Sequence, residues 1–265
     1  MSFSRLNLNK FTDFDLRQIA RETFLENIDF HQSMDSTNNQ ALRLAQEPNL
    51  SLPCLVLAEK QTAGRGRGNN QWWAQPGCLT FSILLDTTPF KKPEHLPLIA
   101  LATGWAVANV LEEYTPSRSV QLKWPNDVYL SNRKICGILT EMPHQHRVVV
   151  GLGLNVNNSF YSAPDELKSK AISLFDELGN EYPLGMILID ILTQFEILWR
   201  QLIEGDCHFI QQWPTRCLLT NRLITHEAGE KQTIGHCRGI DEIGALLLQT
   251  EQGTERILGG TITQF

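Results

Sequence analysis

Gln61-Thr62-Ala63-Gly64-Arg65-Gly66-Arg67-Gly68-Asn69-Asn70-Gln71-Trp72-Trp73 reads as a loop, and the segments on either side of it set the fold. Gly64, Gly66 and Gly68 let backbone N–H groups approach a ligand closely. Arg65 and Arg67 add guanidinium forks that match phosphate or carboxylate. Upstream, the apolar run Cys54 to Ala58 predicts a buried strand that delivers the chain into the loop. Downstream, Leu79 to Leu85 alternates well enough to pair with it after a turn at Pro76-Gly77. Leu98, Leu101, Ala102, Trp105, Val110 and Leu111 then mark an amphipathic helix packed on the two strands. Taken alone, the loop fits a flexible surface segment or an Arg-Gly tether for nucleic acid as well as it fits an anion site.

Composition narrows the choice. The chain has 265 residues, 42% of them hydrophobic, enough to bury a full core in one large domain or two. Its net charge of −6 argues against a general nucleic-acid binder, which needs clustered positive charge. The six cysteines are widely spaced with no Cys-x-x-Cys pair, so reduced, mostly buried thiols are expected rather than a zinc site or a disulfide framework. The first ten residues lack an apolar signal core. The longest charge-free apolar run, Leu96 to Leu111, is shorter than the ~20 residues of a membrane span. A cytoplasmic protein without membrane partners is the expectation.

In chain order, Asp13 to Asn27 carries Leu16, Ile19, Ala20 and Phe24 at helical spacing, with Thr12 or Asp13 as N-cap. An extended piece follows around Ile28 to Met34. Asp35-Ser36-Thr37-Asn38-Asn39 is a cluster of capping residues before a short helix; it reads as ordinary capping, or as hydroxyls and amides presented beside an open helix N-terminus. Lys123 and Lys134 are anomalous, because they interrupt apolar strand patterns and a buried ammonium needs a partner or an anion; Lys123 singly reads as an edge or snorkelling lysine, whereas Lys134 looks aimed into a site. Pro125-Asn126-Asp127 is a turn, and Gly137 lets a ligand approach Lys134. Arg147 to Gly151 predicts a strand ending in Gly151-Leu152-Gly153, a weak signal because no helix opens after it. Pro164 to Leu178 predicts one short helix. Leu184, Leu188, Ile191, Phe195, Leu198 and Leu202 share the face of a long one. Beyond Trp213-Pro214, short β-type runs with Gly-containing turns fit a barrel of about fifty residues, too small to fold with confidence alone.

Asp35-Ser36-Thr37-Asn38, the Arg-Gly loop with Trp72, Lys123-Trp124-Pro125-Asn126-Asp127, Arg133-Lys134 with Gly137-Ile138-Leu139, and Gly151 to Val156 occur in an order that resembles the biotin protein ligases. The likeness extends through Arg238-Gly239-Ile240-Asp241 to Gly259-Gly260 and covers nearly the whole chain. It implies an α+β catalytic domain over 1–213, with a mixed, mostly antiparallel sheet and helices on one side, and an SH3-like β-barrel over 214–265. It also implies activation of biotin with ATP and Mg2+ to biotinyl-5′-AMP, then transfer to a lysine of a biotin carboxyl carrier domain of acetyl-CoA carboxylase or another carboxylase.

By the same resemblance Lys134, Arg67, Lys123 and Asp127 are catalytic. Ser36, Thr37, Asn38, Gln61, Arg65, Gly66, Arg67, Trp72, Lys134 and Gly137 bind biotin, and Arg65, Lys123, Asn126, Asn155 and Arg238 bind ATP. No protein metal site is implied. Asp127 is either a base for the incoming amine or a turn and magnesium-associated residue. Some relatives carry an N-terminal DNA-binding module; it is expected to be absent here, with no specific DNA binding and a monomer or weak homodimer. The alternatives are a lipoate–protein ligase and a non-catalytic biotin or nucleotide sensor. Two finer expectations concern the loop. Its arginines repel each other without an anion, leaving Arg65 to Gln71 mobile until ligand binds. Asn69, where relatives commonly place glycine, adopts positive φ.

Overall fold

The computed structural model describes residues 8–144, 146–161 and 163–265. Residues 1–7 of the stretch searched above for a signal core lie outside them. The elements run α1 Asp13–Glu22, β1 Asn27–His31, α2 Thr37–Leu44, β2 Cys54–Ala58, β3 Cys78–Asp86, α3 Leu98–Tyr114, β4 Val120–Lys123, β5 Asp127–Leu130, β6 Arg133–His144, β7 Arg147–Asn155, α4 Asp165–Lys168, α5 Leu174–Leu178, α6 Leu184–Glu204 and α7 Phe209–Arg216, followed by β8 Leu223–Ala228, β9 Lys231–Ile240, β10 Leu246–Thr250, β11 Gly253–Ile257 and β12 Thr261–Gln264.

The first seven strands form one sheet in the order β1-β2-β3-β7-β6-β5-β4. Only β1 and β2 run parallel; every other neighbour pair is antiparallel. This is the mixed, mostly antiparallel sheet expected. The helices, however, occupy both faces. Leu55, Leu57, Ile83 and Leu85 join the large core that contains α3 and α6. The alternate residues Cys54, Val56, Leu84 and Val149 pack with Ala41 and Ala45 of α2. Because strand side chains alternate in direction, α2 lies on the opposite face from α3 and α6. β2 and nearly all of β3 are therefore buried on both sides, which hides the alternation expected of a half-exposed strand.

Five helices differ from the sequence expectation for local reasons. α1 starts at a capping box on Thr12 but ends at Glu22, because Thr23 turns extended and bonds its hydroxyl back to Ile19 O at 2.7 Å. α3 is buried almost all round rather than amphipathic, as a helix sandwiched between a sheet and another helix must be. The expected single helix over Pro164 to Leu178 is two, α4 and α5, split where Lys134 and Ala171 form a bridge. α7 went unread because Pro214 sits inside it, and proline ordinarily signals a helix end.

The C-terminal strands form a second, antiparallel sheet in the order β11-β10-β9-β8-β12. β11 and β12 are its edges and do not pair among the described residues, so the sheet is consistent with the SH3-like barrel expected but is not closed there. It is tied to the large sheet beside β4: Leu218 N donates to Leu122 O at 2.8 Å, and Trp124 Nε1 donates to Gly244 O at 2.9 Å.

Candidate functional site

A cavity of about 950 Å³ opens where the Arg-Gly loop, the N-terminus of α2, the β4–β5 turn and the edge of the small sheet meet. Its lining contains every residue singled out from the sequence except Arg238: Ser36, Thr37, Asn38, Gln61, Arg65, Gly66, Arg67, Trp72, Lys123, Asn126, Asp127, Lys134, Gly137 and Asn155. Arg238 points outward from β9 and donates to Asn221 Oδ1 at 3.2 Å. Strand alternation puts its buried neighbours Cys237 and Gly239 inward and Arg238 on the exposed face, outside the cavity lining.

One end of the cavity is neutral and already hydrogen-bonded. Gln61 Oε1 accepts from Thr37 N at 2.8 Å and from the Thr37 hydroxyl at 3.3 Å. Ser82 Oγ lies 2.8 Å from Thr37 Oγ1 and 2.6 Å from Asn38 Oδ1. Asn38 Nδ2 reaches Leu139 O and Glu141 Oε2 at 3.2 and 2.9 Å. Ser36 is the N-cap of α2, yet its side chain makes no capping bond. Gln61 caps the first N–H of the helix instead, and the Ser36 and Thr37 side chains line the cavity.

The floor is made by absent side chains. A Cβ on Gly153 would meet Trp72, its Nε1 at 2.6 Å, and one on Gly137 would sit 3.2 Å from Trp72 Cζ3. Gly137 and Gly153 are direct partners across β6 and β7, so the indole of Trp72 lies on a glycine pair. A Cβ on Gly151 would run into the Asn38 amide. The Gly151-Leu152-Gly153 signal, too weak to interpret in sequence, marks this floor. Trp72 Nε1 is buried without a hydrogen-bond partner among the described residues.

The other end is charged. Lys134 Nζ lies 2.5 Å from Asp127 Oδ1. Arg67 donates to Asn126 Oδ1 at 3.3 Å and to Gly260 O at 3.0 Å. Lys123 Nζ donates to Ile262 O at 3.3 Å and sits 4.1 Å from the centre of the Phe265 ring. Asn126 is held by its Nδ2 on Ile138 O at 2.6 Å and by Ile138 N on its own carbonyl at 2.9 Å. Burial pushes the pKa of both Arg67 and Lys123 below the ordinary value. Nearby Asp127 opposes the shift in both, and Lys134 adds to it in Lys123. Asp127 is the one carboxylate among the lining residues.

Arg65 turns toward Glu141, donating to both of its oxygens at 3.0 and 2.8 Å and to Asn39 Oδ1 at 2.9 Å. The two loop arginines thus have separate partners and do not face each other unscreened, contrary to expectation. The loop is closed on itself by Gly66 N to Asn70 O at 2.8 Å and by the Arg65–Gln71 bridge. Positive φ falls on Gly68, at +60°, and not on Asn69. Glycine reaches the left-handed region at less cost than asparagine and takes the turn one place before the position expected. Sequence reading missed Glu141, Ser82, Gly151, Gly153 and the segment Gly260–Phe265. The two glycines had a visible Gly-x-Gly signal; the others lie far from the loop with no local mark.

Residues 30–155 match the Biotin/lipoate A/B protein ligase family. The chain is 32% identical to the bifunctional ligase/repressor BirA of Bacillus subtilis, across 92% of this chain and 76% of that protein. It is 30% identical to the biotin–[acetyl-CoA-carboxylase] ligase of Paracoccus denitrificans, across 84% and 94%. Among solved structures, the biotin protein ligase from Aquifex aeolicus in complex with biotin and ATP superposes with a TM-score of 0.79 at 31% identity, covering 91% of this chain and all of that one. With that likeness running through both sheets, the chain belongs to the biotin/lipoate A/B protein ligase family.

Proposed function

We propose that the protein is an ATP-dependent biotin–protein ligase that forms biotinyl-5′-AMP and transfers biotin to a lysine of a carboxylase's carrier domain. The observation that carries this reading is the division of one cavity into a neutral hydrogen-bonding end and a cationic end. Biotin has the same division. Its uncharged ureido ring offers two donors and one acceptor, which suit Ser36, Thr37 and Gln61, and Trp72 supplies an apolar wall. Its carboxylate then lies toward Arg67 and Lys134. Joining that carboxylate to the α-phosphorus of ATP brings two anions together and expels pyrophosphate, so the assembled cations Arg67, Lys123 and Lys134 lower the barrier by offsetting charge. Asn126 and Asn155 complete the nucleotide side.

A Mg2+ ion fits this end, since such an ion is held mainly by phosphates and water and needs few protein ligands; Asp127 is the carboxylate that would hold it. When bound it would neutralise charge on the departing pyrophosphate. Asp127 also fixes Lys134, and after pyrophosphate leaves it can accept the proton of the attacking lysine amine. Arg65, paired with Glu141, braces the loop in the ligand-free form.

The Paracoccus relative is named for acetyl-CoA carboxylase as its acceptor, and the acceptor here is a biotin carboxyl carrier domain of such a carboxylase. We assign catalysis to the unit ending near 213 and the wall formed by Gly260–Phe265 to the smaller unit. Net charge of −6 disfavours duplex DNA as a partner. No helix among the described residues is long and apolar enough to cross a membrane.

The test is pyrophosphate release from purified protein given ATP and magnesium with either biotin or lipoate, with mass-spectrometric detection of the acyl adenylate. Release with biotin alone is expected. Equal turnover of both acids would sink the substrate assignment.

A further inference from the structure

The last strand of the small sheet reaches into the cavity at the residues that carry the charge. Gly260 O accepts from Arg67, 193 positions away in sequence, and Ile262 O accepts from Lys123, 139 positions away. Beyond β12, the Phe265 ring lies under the Lys123 ammonium at 4.1 Å and meets Tyr129 edge-on, with ring centres 6.3 Å apart at 90°. The segment is built to stay there. β12 pairs with β8, and buried His226 on β8 approaches Gly259 O at 2.7 Å through Nε2. Gly260 has φ +110°, and a Cβ there would collide with the same imidazole.

The chemistry of these partners is specific. Lysine carries its charge on a flexible four-carbon stem, so an ammonium that must meet a phosphate needs something to hold it. A carboxylate would hold it but cancel its charge. A carbonyl and an aromatic face hold it and leave the full positive charge available, the ring acting through its negative face. We propose that Phe265 is a positioning residue for nucleotide activation, fixing Lys123 toward the phosphates of ATP. The proposal rests on the ligase reading above. It assigns to Phe265 an effect on the nucleotide side, because its ring contacts are with Lys123 and Tyr129.

The experiment compares the full chain with Phe265→Leu, which keeps apolar bulk without the ring, and Phe265→Tyr, which restores the ring. Pyrophosphate release is measured with ATP and biotin varied in turn, and ATP affinity is measured by calorimetry on the same proteins. Phe265→Leu is expected to lower kcat/KM for ATP and ATP affinity by about three- to tenfold, while KM for biotin stays within about twofold. Phe265→Tyr is expected to recover the loss. Leucine as good as phenylalanine in both measurements, an equal rise in KM for biotin, or a tyrosine variant as poor as leucine would each overturn the proposal. A leucine variant with weakened ATP affinity, in a protein whose wild type releases no pyrophosphate with biotin, would keep the Lys123 contact and refute the ligase reading instead.

Discussion

The two ends of the cavity are built on different principles. At the neutral end, Thr37, Asn38, Gln61 and Ser82 satisfy one another through short bonds within the large sheet and α2. At the charged end, Arg67 and Lys123 rest on carbonyls and a ring supplied by a second sheet. The first end is shaped before a ligand arrives. The second holds buried positive charge on neutral partners that a phosphate would outbid, since ionic acceptors bond about twice as strongly as neutral ones. Shape selectivity and charge stabilisation are thereby separated in space, and mutations should separate them in kinetics.

The largest effect belongs to the charged end. Lys134→Ala removes the partner of Asp127 and, on the ligase reading proposed above, a contact to the reacting carboxylate, so adenylate formation should fall by more than about tenfold. Unchanged single-turnover rates would mean that Lys134 only shields Asp127 from solvent. Next, Gly153→Ala should act at the neutral end alone. A methyl group there displaces the Trp72 indole, and biotin affinity should drop on the order of tenfold with ATP affinity preserved. Isothermal titration with each ligand separates the two, and a parallel loss of both would break the comparison.

The loop gives a smaller effect. Gly68→Ala puts a Cβ at φ +60° with nothing within 4 Å of it, so the cost is backbone strain alone and adenylate formation should slow by about three- to tenfold. Asn69→Val should be nearly neutral, because Asn69 does not hold positive φ. A slow Asn69→Val enzyme with a normal Gly68→Ala enzyme would place the turn back at Asn69.

The smallest effect is a proton. The Lys123 pKa is lowered from 10.5 by burial; between its folded and unfolded values the unfolded chain binds more protons, so this group makes stability rise with pH across that window. Phosphate binding favours the ammonium and raises the folded value again. ATP binding at alkaline pH should therefore take up a fraction of a proton, visible as a buffer-dependent calorimetric enthalpy that disappears in Lys123→Met. Proton release would show that the nucleotide's phosphates lie elsewhere.

These contrasts also explain what could be read from the chain. The Arg-Gly loop, the capping cluster and Lys123 to Asp127 are contiguous segments whose residue types announce their chemistry, and the cavity gathers all of them. The pairing of β2 with β3 followed from their apolar runs and the turn between them, whereas the order of the other strands had no local signal. α7 was hidden because Pro214 looks like a stop. Arg238, assigned to the nucleotide by resemblance alone, lies outside the cavity lining on the exposed face of β9, a facing that no local sequence signal phases. Gly260 and Phe265 were illegible as site residues, since a carbonyl acceptor carries no side-chain signature and an aromatic near a chain end resembles any other.

The bonds that bring Gly260 and Ile262 to Arg67 and Lys123 also make the small sheet a party to whatever happens in the cavity. Any ligand that strengthens the folded arrangement of those cations stabilises both sheets together, since binding free energy is shared by every segment that must be folded for the site to exist. Amides in β8, β9 and β12, remote from biotin itself, should exchange more slowly as the nucleotide binds. The five C-terminal strands would then serve as a built-in gauge of occupancy, their breathing set by whether a neighbouring sheet has found its substrate.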